Sequence, residues 1–311
     1  MYRVILVPLD GSKFTETALP VAASLARKSG AKLHLVHVLD MLRRPEYARD
    51  IEPHEWWGGK AMDAANEYLV KVDAEAVWKA GVESTHAVVT GTIDAAILDE
   101  AEKKDADLIV MTTHGRPPVQ RLWLGSTADR IARTSPIPVL FVHGSEEGAK
   151  VSPPAFRKLL VTLDGSEVSE TVLPHALEFA RVNDSEIRLL YVAEPVRIPA
   201  TALPTGADAT APFVEALAQR DEAAAGYLDG IAQDLDYPRV TTEVVTSEGP
   251  VAEEILDVIE RRGVDAVALA THGRGGIRRL VLGSVADKLL RGSNVPVLLC
   301  RPHAEASQAE E

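Results

Sequence analysis

The sequence contains one domain-length pattern twice, and this duplication limits the fold more than any other feature. Residues 4–12 read Val-Ile-Leu-Val-Pro-Leu-Asp-Gly-Ser, and residues 158–166 read Lys-Leu-Leu-Val-Thr-Leu-Asp-Gly-Ser. Further along each copy, Thr-His-Gly-Arg (residues 113–116 and 271–274) is followed by Gly-Ser, with nine residues between the two glycines. Solenoid repeats are several-fold shorter than this period, so the pattern indicates a duplicated domain.

Each copy alternates short apolar runs with stretches of helical periodicity. The runs at residues 3–7 and 106–111 are typical of strands buried on both faces, and apolar residues recur at helical spacing from about Phe14 to Ser29. We therefore expect an α/β fold with two tandem domains, each built from a five-stranded parallel sheet with helices on both faces. The predicted boundaries are residues 1–143 and 157–303 for the domains, 144–156 for a linker and 304–311 for a flexible acidic tail.

The two motifs of each copy are expected to meet in space. Asp10 and Asp164 each follow a first strand, and the Thr-His-Gly-Arg loops follow the fourth strands. In such sheets, ligands bind outside the carboxyl ends of the strands, where the strand order switches. Glycines let backbone amides approach an anion, and the helix that starts after the second glycine adds the positive end of its dipole. The residues alone therefore predict a phosphate-binding crevice in each half.

The composition narrows the class of protein. The net charge is −13, from 33 basic and 46 acidic residues, which argues against non-specific nucleic-acid binding. No apolar run reaches the roughly 20 residues of a membrane span, and the first residues lack the layout of a signal peptide. The single cysteine, Cys300, excludes an internal disulfide and fits a reducing compartment. We expect a cytoplasmic protein with no membrane or nucleic-acid partner.

The sequence shows no motif of a dedicated enzyme. It has no Gly-x-x-x-x-Gly-Lys loop, no Gly-x-Gly-x-x-Gly after the first strand, and no His/Cys cluster with metal-ligand spacing. We expect neither catalytic residues nor a metal site built from side chains, so any Mg²⁺ would arrive with bound phosphates.

Taken together, the motifs resemble a tandem member of the universal stress protein family. The resemblance covers both halves and rests on three features: the opening strand that ends in Asp-Gly-Ser, the second-strand ends (His37-Val38 and Tyr191-Val192), and the His-Gly-Arg to Gly-Ser loop. It implies a Rossmann-like, adenine-nucleotide alpha-hydrolase-like fold that binds ATP, with or without Mg²⁺. The implied function is a nucleotide-dependent sensor or regulator of the stress response. The alternative is a family member that binds no nucleotide and acts as an interaction scaffold.

The resemblance also implies a nucleotide-binding site in each half. The aspartates would hold the ribose hydroxyls, their neighbours would form the adenine slot, and the glycine loops would contact the phosphates. The implied residues of the second half are Thr162, Leu163, Asp164, Val192, Gly273, Gly283, Ser284 and Val285. Those of the first half are Pro8, Leu9, Asp10, Val38, Gly115, Gly125, Ser126 and Thr127.

Two departures from the family pattern distinguish the halves. The ATP-binding branch has an additional glycine three positions before Gly115 or Gly273, and this chain has Thr112 and Ala270 there. Alanine is the milder change. The first loop also contains two prolines, residues 117–118, where the second has two glycines. Both departures favour the second site, and the missing glycine keeps the scaffold alternative open.

Several residues also have a purely structural interpretation. Asp10 and Asp164 could cap the helices that follow them, and Ser126 and Ser284 stand where an N-cap is expected. The histidines of the Thr-His-Gly-Arg loops are expected to anchor the turns rather than to transfer protons. Between the second strand and the long helix, Trp56-Trp57 and residues 199–212 are either lids over the crevice or variable loops.

Family dimers pair through their fifth strands. Here residues 139–142 and 297–299 can pair within one chain as a pseudo-dimer. Whether two chains associate further as a homodimer, and which regulatory protein is the partner, stays open.

Overall fold

The computed structural model describes residues 1–40, 45–52, 56–113, 124–150, 152–194, 211–247, 249–273 and 282–302. The strands are β1 (Val4–Leu9), β2 (Lys32–Leu39), β3 (Ser84–Thr90), β4 (Leu108–Thr112), β5 (Val139–Val142), β6 (Lys158–Leu163), β7 (Glu186–Ala193), β8 (Val240–Thr246), β9 (Ala266–Ala270) and β10 (Val297–Cys300). The helices are α1 (Lys13–Glu16), α2 (Ala18–Ser29), α3 (Ala61–Val72), α4 (Ile93–Lys103), α5 (Ser126–Thr134), α6 (Glu167–Glu170), α7 (Leu173–Asn183), α8 (Ala211–Asp234), α9 (Val251–Arg262) and α10 (Ser284–Gly292). The predicted tail lies outside the described residues.

The ten strands form one sheet in the order β3-β2-β1-β4-β5-β10-β9-β6-β7-β8. Each half contributes five parallel strands flanked by helices, which confirms the expected α/β architecture. The halves join where β5 runs antiparallel to β10, with Phe141 opposite Val297 and Val139 opposite Leu299. This pairing satisfies backbone groups that would otherwise lie at two sheet edges, so the two sheets are continuous.

The helix predicted from about Phe14 to Ser29 is instead two helices. α1 ends at Glu16, and α2 begins two residues later. Pro20 has no N–H to donate to the Glu16 carbonyl, as a continuous helix would require. The second half repeats this break between α6 and α7, ahead of Pro174. The break keeps a short, separately capped turn directly after each Asp-Gly-Ser motif.

Two apolar layers cover the faces of the sheet, and both extend across the two halves. One layer includes Leu25 of α2 and Phe179 of α7, and the other includes Ile131 of α5 and Leu289 of α10. Side chains alternate between the layers along each strand, so that Leu163 at the end of β6 faces the α7–α8 side. Most of the stabilisation of the fold comes from this burial, and the halves share it.

Trp56 belongs to the interior of the first half. It is completely buried in a small cluster with Leu39, Ala48, Ala61 and Ala65. Of the two segments interpreted as lids or loops, the one that contains Trp56 is therefore anchored in the core by this side chain. The corresponding segment of the second half lies outside the described residues up to residue 210.

Two histidines of β2 are buried among polar partners. The His34 ring contacts Glu100 Oε1 through Nε2 at 3.0 Å and Thr85 Oγ1 through Nδ1 at 2.7 Å. His37 Nδ1 lies 2.8 Å from the Leu9 carbonyl. Burial lowers the pKa of both histidines below the ordinary 6.5, and at His34 the nearby Lys104 and burial together outweigh the attraction of Glu100. The folded protein therefore holds these imidazoles neutral near pH 7.

We expect the protein to lose stability as the pH falls below about 6.5. In that range the unfolded chain takes up protons on residues 34 and 37 that the folded chain does not bind. The free energy of unfolding should fall by at most about 1.4 kcal/mol per pH unit for each histidine. Urea denaturation at pH 7.0 and pH 5.5 measures this change, and His34→Gln should make the decline shallower. Equal or greater stability at pH 5.5 would contradict the expectation.

Candidate functional site

The carboxyl ends of the second-half strands surround a cavity of about 1360 Å³. Strand β6 pairs with both β7 and β9, so the loops that follow these strands meet at one rim. All eight residues implied for the second site line this cavity: Thr162, Leu163, Asp164, Val192, Gly273, Gly283, Ser284 and Val285. The tertiary structure therefore brings together segments that are about a hundred residues apart in the sequence.

The carboxylate of Asp164 is held by the turn that follows β6. Its Oδ1 accepts hydrogen bonds from the Ser166 N–H at 3.0 Å and the Ser166 hydroxyl at 2.6 Å. The N-cap of the following helix is Ser166, whose hydroxyl accepts from the Ser169 N–H at 3.2 Å. Asp164 is thus not the helix cap. It orders the capping serine and is itself fixed in place at the cavity wall.

The two glycines of the second motif allow close packing at the cavity rim. A Cβ atom on Gly273 would overlap Asp164 Oδ2, so the β9 loop lies directly against the aspartate of the β6 turn. A Cβ on Gly283 would lie 2.8 Å from the Thr271 carbonyl oxygen, which accepts a hydrogen bond from the Gly283 N–H at 2.9 Å. The glycines therefore close the rim around the cavity.

Helix α10 starts at this rim without a side-chain cap. Its N-cap is Gly283, which has no side chain to accept a hydrogen bond from the first turn. Ser284 is the first helical residue, so the expectation that Ser284 is the N-cap was wrong, as it was for Ser126, since Gly125 is the N-cap of α5. Both glycines adopt extended backbone angles, as N-caps do. The first amides of α10 can thus bind an anion in the cavity.

Ala270, which replaces the expected glycine of the second half, does not block the cavity. Ala270 is buried at the end of β9 and lines the cavity wall. Thr112 is buried at the equivalent end of β4. Neither residue has a positive φ, so the added Cβ atoms cause no backbone strain. The departure from the family pattern is accommodated by ordinary strand geometry.

The first half repeats the same frame. Asp10 Oδ1 accepts from the Ser12 N–H at 2.9 Å and from the Thr15 hydroxyl at 2.8 Å, and Ser12 caps α1. The Gly125 N–H donates to the Thr113 carbonyl at 2.9 Å, as its counterpart does in the second half. The other implied residues of the first half lie at the ends of its strands and at the start of a helix. Pro8 and Leu9 end β1, Val38 lies near the end of β2, and Ser126 and Thr127 start α5. Gly115 lies outside the described residues.

An ion-pair network joins the helices that begin at the two glycine loops. On α5, Asp129 accepts two hydrogen bonds from Arg133, and on α10, Asp287 accepts from Arg291 in the same way. Arg291 also reaches Asp129 at 3.9 Å. The hydrogen bonds from Arg133 hold the pKa of Asp129 below its ordinary value. The two helices are therefore connected electrostatically across the junction between the halves.

The cavity also contains residues that the sequence reasoning missed. Tyr191, Arg220 and Tyr227 line its α8 side. Tyr191 contributed to the family resemblance as the neighbour of Val192, but the resemblance gave it no role in the site. Arg220 and Tyr227 lie on a long helix that contains no recognisable motif. His272, expected to anchor its turn, contacts Thr271 Oγ1 through Nδ1 at 2.9 Å, and His114 lies outside the described residues. Among the described residues, no group of three His, Cys, Asp or Glu side chains is arranged to hold a metal ion.

Comparison with known proteins decides the family. The model of the universal stress protein family matches residues 1–143 and again residues 155–301. The chain belongs to this family. Universal stress protein Rv2005c of Mycobacterium tuberculosis is 27% identical over 303 residues, which cover 96% of each protein. A universal stress protein of Thermus aquaticus is 36% identical over 144 residues, which are 46% of this chain and the whole of that protein.

The solved structures agree with the tandem architecture of the family. The crystal structure of a universal stress protein from Archaeoglobus fulgidus matches 96% of this chain and 98% of its own, with a TM-score of 0.68 and 19% identity. At this identity the likeness supports the fold alone. The fold is therefore shared over 96% of this chain and 98% of that one.

We expect Gly283→Ala to destabilise the protein by about 1–3 kcal/mol, because the added methyl group would push the Thr271 carbonyl away from the rim. Urea denaturation measures the loss. Gly226→Ala is the control, since Gly226 lies inside α8 with open space around its Cβ position. That variant should be about 0.5–1 kcal/mol more stable. A Gly283→Ala protein as stable as the parent would show that the close contact has no energetic weight.

Proposed function

We propose that this universal stress protein binds ATP at the cavity of its second half and acts as a nucleotide-dependent sensor or regulator of the stress response. The observation that carries the proposal is the convergence of a fixed carboxylate, two closely packed glycines and an uncapped helix start on one cavity. These groups match the parts of a nucleotide: hydroxyls for the carboxylate and phosphate oxygens for the amides.

Each part of the nucleotide has a set of residues suited to it. Asp164 would accept hydrogen bonds from the ribose hydroxyls. Thr162, Leu163 and Val192 would surround the adenine. The amides of Gly273, Gly283, Ser284 and Val285 would contact the phosphates, helped by the dipole of α10. Any Mg²⁺ would arrive with the phosphates of the nucleotide.

A regulatory role fits the site better than catalysis. The described residues of the cavity supply anion-binding amides and an acceptor for hydroxyls, which are binding groups. Weak ATP hydrolysis would need a group to position water, and no catalytic motif supports it. Within the described part of the chain, no helix has the length and apolar character needed to cross a membrane. We place the protein in the cytoplasm, with an adenine nucleotide as its small-molecule partner.

The scaffold function remains the alternative. The scaffold function is favoured by Thr112 and Ala270, which stand where the ATP-binding branch has a glycine. Ala270 nevertheless leaves the second-half cavity open. We propose domain limits of 1–143 and 157–303, with a linker at residues 144–156. In the scaffold alternative, the same two domains fold and pair, and no nucleotide binds in either.

Calorimetry with ATP tests the function directly. The purified protein should bind ATP, and nucleotide released by denaturation should be detectable by chromatography. If neither is observed, the nucleotide proposal fails and the scaffold function takes its place.

Asp164→Ala tests the role of the carboxylate. We expect ATP affinity to fall by about 1–3 kcal/mol, the cost of losing a charged hydrogen bond. Because the loss should concern the ribose hydroxyls, the affinity for 2′,3′-dideoxy-ATP should hardly change. Asp10→Ala, the matched variant of the first half, should leave the second site unaffected. Equal weakening of ATP and dideoxy-ATP, with a lower melting temperature, would indicate that Asp164 only stabilises its turn.

A further inference from the structure

The two halves differ most in how they use one position beside the Asp-Gly-Ser turn. In the first half, Tyr47 fills this position. Its ring lies so close to Gly11 that a Cβ there would be 2.7 Å from Tyr47 Cε1. The ring stacks on Tyr68 with centroids 4.8 Å apart and planes 14° apart, and its hydroxyl lies 3.0 Å from His37 Nε2. The first half thus places an aromatic ring of its own on a platform of Tyr68 and His37.

The second half builds the same platform. His37 pairs with Leu9 in the register of β1 and β2, and Tyr191 pairs with Leu163 in the equivalent register of β6 and β7. The ring centroids of His37 and Tyr68 are 6.0 Å apart at 66°, and those of Tyr191 and Tyr227 are 6.4 Å apart at 72°.

A hydrogen bond to the first short helix is repeated as well. The Tyr68 hydroxyl donates to Glu16 Oε1, and the Tyr227 hydroxyl donates to Glu170 Oε1. Burial, with this contact, raises the pKa of Tyr227, which keeps the hydroxyl protonated as a donor. The two platforms therefore correspond in ring geometry, strand register and anchoring.

The platform of the second half opens into the cavity. Gly165, the counterpart of Gly11, lines the cavity together with Ser169, Tyr191 and Tyr227. We call this part of the cavity the ring lobe, defined by Gly165, Ser169, Tyr191, Arg220, Ala223 and Tyr227. The sequence between β7 and α8, residues 194–210, contains no Phe, Tyr, Trp or His. That segment has no aromatic side chain to take the part of Tyr47.

The ring lobe and the proposed phosphate site belong to one cavity. Its volume of about 1360 Å³ exceeds the roughly 300–1,000 Å³ of ordinary small-molecule pockets. The guanidinium of Arg220, which donates to the Glu194 carbonyl and to Asp221 Oδ1, both at 2.7 Å, adds a planar cation to the wall of the lobe. An aromatic surface next to a cation suits a planar ring attached to an anion.

We propose that the second half binds a nucleotide carrying two planar rings joined through phosphates, a dinucleoside polyphosphate, and that its second ring stacks on Tyr227. This inference rests on the proposed nucleotide function. It adds a class of ligand to that function. In the first half the Tyr47 ring stacks on Tyr68, and in the second half a ring of the ligand would stack on Tyr227 in the same way.

Calorimetry with three probes tests the proposal: ATP, adenosine 5′-tetraphosphate and diadenosine tetraphosphate. The last two share a tetraphosphate chain, and the diadenosine compound adds a second ring. We expect diadenosine tetraphosphate to bind about 5- to 100-fold more tightly than adenosine tetraphosphate, the range of one base stacked on an aromatic side chain. If diadenosine tetraphosphate and adenosine tetraphosphate bind with equal affinity, the proposal is overturned, whether or not ATP binds.

Variants of the platform identify the stacking residue. Tyr227→Leu should abolish the preference for diadenosine tetraphosphate without weakening ATP, whereas Tyr227→Phe should retain it because the ring remains. Tyr68→Leu, the matched change in the first half, should leave the preference intact. Ala223→Phe, at an exposed position of α8, should fill the lobe and abolish the preference if Tyr227→Leu fails to fold. A preference that survives both lobe variants would overturn the proposal.

The two proposals fail separately. If the parent protein binds ATP but shows no gain from the second ring, the dinucleotide inference alone falls. If diadenosine tetraphosphate binds through Tyr227 and ATP does not bind, the ATP proposal alone falls. If none of the three probes binds, both fall.

Discussion

The pairing of first and fourth strands is the constraint on which the rest of the structure depends. β1 lies beside β4, and β6 beside β9, although about a hundred residues separate them in the chain. This adjacency places the Asp-Gly-Ser turn next to the glycine loop, close enough that Asp164 lies against Gly273. Moving either strand by one place in the sheet would separate the carboxylate from the amides, and the cavity would lose one wall.

Duplication gives both halves this frame and leaves each half free to fill it differently. In each half the frame includes the serine-capped turn after the first strand and the glycine whose N–H donates to the carbonyl after the fourth strand. It also includes the pair of rings contributed by the second strand and the long helix. The first half closes the space beside its turn with Tyr47, and the second half leaves that space as cavity. The two halves thus keep one frame and differ in the space beside the Asp-Gly-Ser turn.

The junction between the halves joins them through strand pairing, apolar packing and an ion pair. β5 and β10 pair antiparallel, and apolar layers on both faces continue across the junction. On one face the network of Asp129 and Arg291 connects the two helices that begin at the glycine loops. Each half is therefore in contact with its neighbour through backbone, apolar and charged groups.

The sequence by itself determined the duplication, the α/β class and the residues of the two motifs, because strand-length apolar runs and glycine spacing are local patterns. The resemblance to the universal stress protein family implied eight second-half residues for a site, and the structure places all eight on the cavity wall. The sequence reasoning placed N-caps at Ser126 and Ser284, one residue after the glycines that hold this position. It also missed the break between α1 and α2. There Pro20 cannot donate a backbone hydrogen bond, and this outweighs a good helical periodicity. Only the tertiary structure decided that Tyr47 lies against Gly11 in the first half and that Tyr191 and Tyr227 line the cavity in the second. Those facts depend on side chains from separate elements meeting across the rim, and no pattern along the chain encodes the distance between them.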